Sequence, residues 1–162
     1  MREETDQRNR DLDEGLFAAW FTPHETRVAP PRREEVPYLN FAPLRNSLAG
    51  LRDARADYDR ARDARSGQPL PAERARALDA VLRGCERALT RSEGLPGRPW
   101  YRHQIYAPGR YTGYGVKTLP AIREGLELRS WREAEEQIEV VAKTLDGFAS
   151  ELRRAAALWQ EP

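Results

Sequence analysis

Apolar residues recur along the C-terminal stretch at alternating intervals of four and three: Ala134, Ile138, Val141, Leu145, Phe148, Leu152, Ala155 and Trp159. That period of about 3.5 residues belongs to a helix lying along another helix. Ser130 and Glu133 stand where a capping box would open it, so the pattern predicts one long helix over 131–160. Gly147 interrupts the stripe at about 1 kcal/mol relative to alanine, and the stripe continues on both sides. A second helix is expected from Asn40, a good N-cap, with Leu44, Leu48, Leu51, Tyr58 and Ala61 on one face and an end near Ser66-Gly67. Pro69 and Pro71 mark a turn and the entrance of a third helix. Its inward residues are Leu78, Val81, Leu82, Cys85, Ala88 and Leu89, and it is expected to stop around Ser92–Gly94. Leu12, Leu16, Ala19 and Trp20 mark an amphipathic helix from Glu3 to Phe21, followed by the Pro-rich segment Thr22–Pro37.

The stretch 94–118 breaks every helical pattern. It holds Pro96, Pro99 and Pro108, five glycines and four of the six tyrosines. Ordered loops of this length are uncommon without a functional or packing role. A short helix over Pro120–Leu128 follows it. No alternating segment competes except His103–Tyr106, too short to found a sheet. The expected fold is an all-α antiparallel helical bundle, four-helix-bundle-like, with one long ordered crossover loop. It is read as a single domain over 1–162, in which 1–37 is a helix plus a Pro-rich lead-in.

The residues of the loop, Gly94-Leu95-Pro96-Gly97-Arg98-Pro99-Trp100-Tyr101-Arg102-His103 and Ile105-Tyr106-Ala107-Pro108, resemble the signature of one helical domain. It is the transferrin receptor-like dimerisation domain of the glutamate carboxypeptidase II (folate hydrolase) and transferrin receptor family. The resemblance extends back through Asn40-Phe41-Ala42-Pro43-Leu44 and forward through Tyr114 and Leu119-Pro120 to the last helix, over roughly 38–158. It implies a homodimer, built on a domain that follows a peptidase domain in the same or a neighbouring polypeptide. It also implies a loop that reaches the edge of the peptidase cleft, and two zinc ions held only in that absent domain. Glutamate-specific members carry a Lys-Tyr pair in this loop that binds the substrate's terminal carboxylate. Tyr114 matches the tyrosine, whereas Gly113 stands where the lysine would be, which removes a charge-assisted bond to an anionic side chain.

Composition narrows the chemistry. The chain has 162 residues, 40% hydrophobic and 33% charged, with a net charge of +1. That balance gives no basic surplus for nucleic acid. Nothing approaches the ~20 apolar residues of a membrane span, and Met1–Asp6 lacks a signal peptide's apolar core, so an intracellular product is the expectation if the chain is complete. The single cysteine, Cys85, excludes an internal disulfide and reads as a buried thiol. The two histidines, His24 and His103, share no metal-binding spacing, and His103 reads as a hydrogen-bonded loop residue. Clustered carboxylates such as Glu133/Glu135/Glu136 alternate with arginines as solvated helix faces. No catalytic residue and no cofactor are therefore expected in this chain.

Trp100, Tyr101, Arg102, His103, Tyr106 and Tyr111 are the candidate interaction residues of the loop, with Tyr114 as a substrate contact implied by the resemblance. Interleaved with Arg98, Arg102 and Arg110, the aromatics resemble a base-stacking platform, but such platforms sit within a net basic groove that this chain lacks, no nucleic-acid partner is expected, and Arg-aromatic enrichment also suits a protein interface. Ile138, Val141, Leu145, Phe148, Leu152 and Trp159 are the core or dimer face of the last helix. Val140, Leu158 and the cluster Phe17, Trp20 and Phe21 lie off the main stripe and need cover, which a two-fold dimer supplies. Two further roles stay open: the C-terminal part of an active di-zinc peptidase, and a stand-alone interaction module using the Tyr-rich loop.

Overall fold

The computed structural model describes residues 1–20, 28–65, 67–111 and 113–160, without the side chains of Ala19 and Trp20. His24, Phe21, Ser66 and the first part of the Pro-rich segment lie outside the described residues, as does the side chain of Trp20. The chain forms two compact units, Met1–Tyr38 and Leu39–Pro162.

In the first unit, α1 (Arg2–Asp13) is followed by a 3-10 turn, Leu16–Trp20. The expected helix from Glu3 to Phe21 therefore breaks early, because Gly15 takes φ +73° and ends the α-helical hydrogen bonding. The extended segment after residue 28 runs back along α1. Asn9 holds it by a two-point amide bond, its Nδ2 donating to the Arg33 carbonyl and its Oδ1 accepting from the Arg33 N–H. Arg2 donates to the Val36 carbonyl at 3.0 Å.

The second unit is mostly helical, with a small two-stranded sheet. Helix α2 spans Ala42–Ala64, and the Asn40 side chain accepts the Ala42 N–H at 3.0 Å, so Asn40 sits just ahead of the helix start. Its buried seam is Leu44, Ser47, Ala54 and Ala61. Leu48, expected inward, is 40% exposed. Helix α3 covers Ala72–Ala88 and buries Leu78, Val81 and Cys85, while Leu82 faces outward at 38%. It stops before the expected end because the chain beyond it pairs with the loop. Thr90 bridges His103, and the Arg91 N–H donates to the Arg102 carbonyl.

Two short strands, β1 (Tyr106–Pro108) and β2 (Val116–Thr118), pair antiparallel with Ala107 opposite Lys117. They correct the expectation that no sheet forms here. Three-residue strands around a glycine-rich tip carry no alternation to read. The buried inner residue Ala107 packs with Leu95 and Ala121. Helix α4 (Pro120–Glu127) follows, entered through Leu119 at φ +51°.

Helix α5, Trp131–Gln160, has the predicted bounds. At 1.5 Å per residue it is about 45 Å long, and α2, α3 and α4 all pack on it. One cluster joins Ile138, Val141 and Leu145 to Leu44 and Ile122; a second joins Ala155 and Trp159 to Leu78 and Val81. Arg153 reaches the Gly50 carbonyl, and Arg65 donates to the Trp159 carbonyl. These contacts place α2 alongside α5 in the same sense, whereas α3 runs back between them in the chain. The long helices thus alternate in direction, while the most extensive helix pairing, α2 with α5, is parallel rather than antiparallel.

Helices α4 and α5 meet at Gly125, where a Cβ would lie 2.9 Å from the Ala134 backbone nitrogen. Gly125→Ala is expected to force the two apart and to cost about 1–3 kcal/mol, read as a lowered denaturation midpoint with an unchanged m-value.

Candidate interaction surface on the crossover loop

The loop is built around a buried ion pair. At Gly94, φ is +68° and a Cβ would lie 2.2 Å from the Pro99 carbonyl oxygen, so only glycine closes this turn. The turn directs Arg98 inward, where its Nη2 donates to both oxygens of Glu124 at 2.9 Å. The two side chains are 5% and 4% exposed. The Glu124 Oε1 also accepts the Arg110 N–H at 2.7 Å. One carboxylate on α4 thereby fixes the loop at two points, near its start and before its tip. The Arg110 guanidinium folds back onto the Pro96 carbonyl at 2.5 Å and comes within 4.0 Å of Glu133. It covers Gly97, where a Cβ would lie 2.9 Å from its Nη2.

Secondary ties complete the frame. Gln104, fully buried, donates to the Arg102 carbonyl at 2.9 Å, and its backbone N–H donates to the Leu89 carbonyl. The His103 Nδ1 accepts the N–H groups of Ile105 and Tyr106, both at 3.2 Å, and its Nε2 lies 3.2 Å from Glu86 of α3. With its Nδ1 accepting from two successive backbone N–H groups, His103 serves as a backbone clamp. The Tyr106 hydroxyl donates to Glu86 at 2.9 Å, a bond that raises the phenol above its ordinary pKa. Lys117 pairs with Glu127, which also meets Arg123 at 3.2 Å.

What the frame leaves outside is aromatic. Trp100 is 70% exposed and Tyr111 76%, and Tyr114 is fully exposed beside Val116 at 69%. Tyr101, Arg102 and Tyr106 are exposed as well, and His103 is half-buried. Gly113 sits at φ +60° with open space around it. The arginines that alternate with the aromatics in sequence part company with them in space. Arg98 and Arg110 turn inward, leaving Arg102 on the surface, which breaks the spacing a phosphate-tracking platform would need.

On α5, Ile138, Val141 and Leu145 are buried in the core. Phe148 and Leu152 are half-buried and line a groove with Leu48, Leu51, Arg52 and Arg55 of α2. Trp159 packs against the second cluster, as does Leu158, and Val140 is half-buried. Phe17 is half-buried within the first unit. Cys85 is buried, and its thiol is pushed above the ordinary value by that burial.

Among the described residues no group of three His, Cys, Asp or Glu side chains converges as a metal site, and no helix is long and apolar enough to cross a membrane. The described residues do not supply the convergent His and carboxylate ligands that a di-zinc centre needs. Glu124 carries no local sequence pattern that marks it as framework, and Arg98 and Arg110, which read in sequence as surface cations among the aromatics, both bond to it.

Comparison with known proteins places this geometry. Residues 39–153 match the family described as the transferrin receptor-like dimerisation domain. A probable glutamate carboxypeptidase of Arabidopsis thaliana is 36% identical over 77 residues, covering 43% of this chain and 11% of the relative. A probable glutamate carboxypeptidase of Arthroderma benhamiae is 40% identical over 62 residues, 38% of this chain and 8% of the relative. An inactive zinc metalloprotease of Schizosaccharomyces pombe is 31% identical over 77 residues, 48% of this chain and 10% of the relative. The aligned part thus spans about a tenth of these relatives' length.

Two outcomes follow from the frame. Glu124→Ala leaves the buried Arg98 uncompensated and is expected to cost about 3–5 kcal/mol, with loss of amide-exchange protection at Arg110. The hydrogen bond from Lys117 lowers the Glu127 carboxyl below its usual value. The tether it forms is complete above the ordinary carboxylate range and is lost as pH falls through the lowered value. Protection of the β2 amides should therefore fade on acidification, and Glu127→Gln should abolish that pH dependence.

Proposed function

We infer the role of this chain from one premise: it belongs to the transferrin receptor-like dimerisation domain family. Its function is to pair two copies of a glutamate carboxypeptidase-like protein, as a helical-bundle domain that performs no chemistry itself. In the full-length protein the crossover loop completes one wall of the substrate cleft, with Tyr114 and its neighbours facing the ligand. Any di-zinc chemistry belongs to a peptidase domain in the same or a neighbouring polypeptide. The observation that carries the loop assignment is the buried Arg98–Glu124 pair, which anchors a loop whose Trp100, Tyr111 and Tyr114 side chains are exposed. Presenting large side chains without later ordering is what a binding wall requires.

The tip also narrows the ligand. Arg110 and Lys117 are engaged inside the frame, and Gly113 supplies no cation. A cleft closed by this tip lacks the ammonium that would favour an acidic side chain, and glutamate preference is not expected from it. A second reading is an interaction module that meets another protein through the same aromatics, favoured by the exposure of Trp100, Tyr111 and Tyr114 together.

Sedimentation equilibrium at micromolar concentration is expected to give a two-subunit mass, and a strict monomer would refute the pairing role. The isolated chain with added zinc should leave peptides intact; turnover abolished by a chelator would refute the non-catalytic assignment. Replacing Tyr111 and Tyr114 with alanine should leave self-association unchanged, since the tip is assigned to the ligand rather than to the second copy.

A further inference from the structure

The frame of the crossover loop leaves three buried polar atoms unpaired. Arg98 and Gln104 are 4% and 0% exposed. A guanidinium carries N–H donors on Nε and on both Nη atoms. Glu124 takes up Nη2 alone, with both carboxylate oxygens at 2.9 Å from it. Among the described residues, Nε and Nη1 have no hydrogen-bond partner, and neither has the Gln104 Oε1. Leaving such groups unpaired away from bulk water is costly. In folded proteins they are nearly always met, by protein or by ordered water.

Rotating the glutamine does not remove the problem. Its Nε2 donates to the Arg102 carbonyl at 2.9 Å and approaches the Gly94 carbonyl at 3.5 Å. Turned over, the amide would set Oε1 against two carbonyl oxygens, so the present orientation is the favourable one. Both side chains belong to one small turn of backbone. The Arg98 N–H donates to the Leu95 carbonyl, and the Leu95 N–H donates to the Tyr101 carbonyl. The Gly94 carbonyl that the Gln104 amide approaches lies at the start of the same turn.

We propose that internal water is bound beneath the turn 94–101, accepting from Nε and Nη1 of Arg98 and donating to Oε1 of Gln104. Size, charge and hydrogen bonding each select water. The three atoms have no exposed surface, so a side chain of another molecule does not reach them. The charge of Arg98 is already balanced by Glu124; a further anion would be uncompensated, and a cation would face a guanidinium. The site offers donors from one residue and an acceptor from the other, and water meets both kinds at once. With the Gly94 carbonyl as a second acceptor, it supplies the roughly three polar partners that an internal water takes. Water held there completes a chain of hydrogen bonds from Glu124 of α4, through Arg98 and Gln104, to the Leu89 carbonyl at the end of α3.

The test is magnetisation transfer from water, measured by NMR on the full chain. The Arg98 Nε–H is expected to show laboratory-frame and rotating-frame cross-peaks of opposite sign, as water tumbling with the protein gives. Their absence in the wild-type chain would overturn the proposal. Gln104→Met keeps the side-chain length and removes the acceptor, and it is expected to abolish the cross-peak at Arg98; an unchanged cross-peak would overturn the shared site. A crystal structure of the wild-type chain gives a readout that needs no variant. Density within hydrogen-bonding distance of both Arg98 and Gln104 would support internal water, whereas a direct bond between the two side chains would refute it.

Discussion

The crossover loop depends on one charge pair taken out of water. Arg98 and Glu124 lie 26 residues apart, and each is almost wholly buried. A buried ion is tolerable only when its partner is held in place. Burial therefore couples two segments that could not order themselves alone. The loop is rich in glycine and proline, and α4 has only eight residues, below the length at which an isolated helix persists in water. Glu124 needs α4 to be helical, and α4 needs the loop and α5 to cover it. The Arg110 N–H on the same carboxylate extends this coupling to the hairpin.

This explains which features were legible in the amino-acid order. Helix α5 was readable end to end because its buried positions follow one period over 30 residues. The early end of α1 was not, since the polar pattern runs past Gly15 and only the backbone conformation there breaks it. Leu48 and Leu82 were placed inward because hydropathy marks a stripe wider than the strip that touches a neighbour. Helix α2 instead uses Ser47 and Ala54 at its contact, residues whose value is their small size. The hairpin was missed because its two strands are held by pairing and by the Ala107 contact, both set by residues distant in sequence. The aromatic candidates of the loop were identifiable by composition, whereas the acid that fixes them looked like any other helix-surface glutamate.

Charge placement gives the loop its character. A sequence with arginine between its aromatic residues suggests a cationic face, but folding draws Arg98 and Arg110 to the inside and ties Lys117 to Glu127. The surface that results is amphipathic, with phenol and indole groups on a rigid frame. On the reading proposed above, such a tip lines a cleft or seats a partner. The family supplies the scaffold, and the fold by itself assigns no reaction to it.

Helix α5 follows in sequence every element that packs on it, and residues from it sit in both of the larger hydrophobic clusters. During synthesis, then, α2, α3 and α4 leave the ribosome with the faces that α5 covers still exposed, and that packing waits until the thirty residues of α5 have followed them. At translation rates of about 5–20 residues per second that interval lasts several seconds, during which the nascent chain presents sticky surface to chaperones and proteases. A premature stop anywhere before Trp131 would leave α2, α3 and α4 without the helix they pack on.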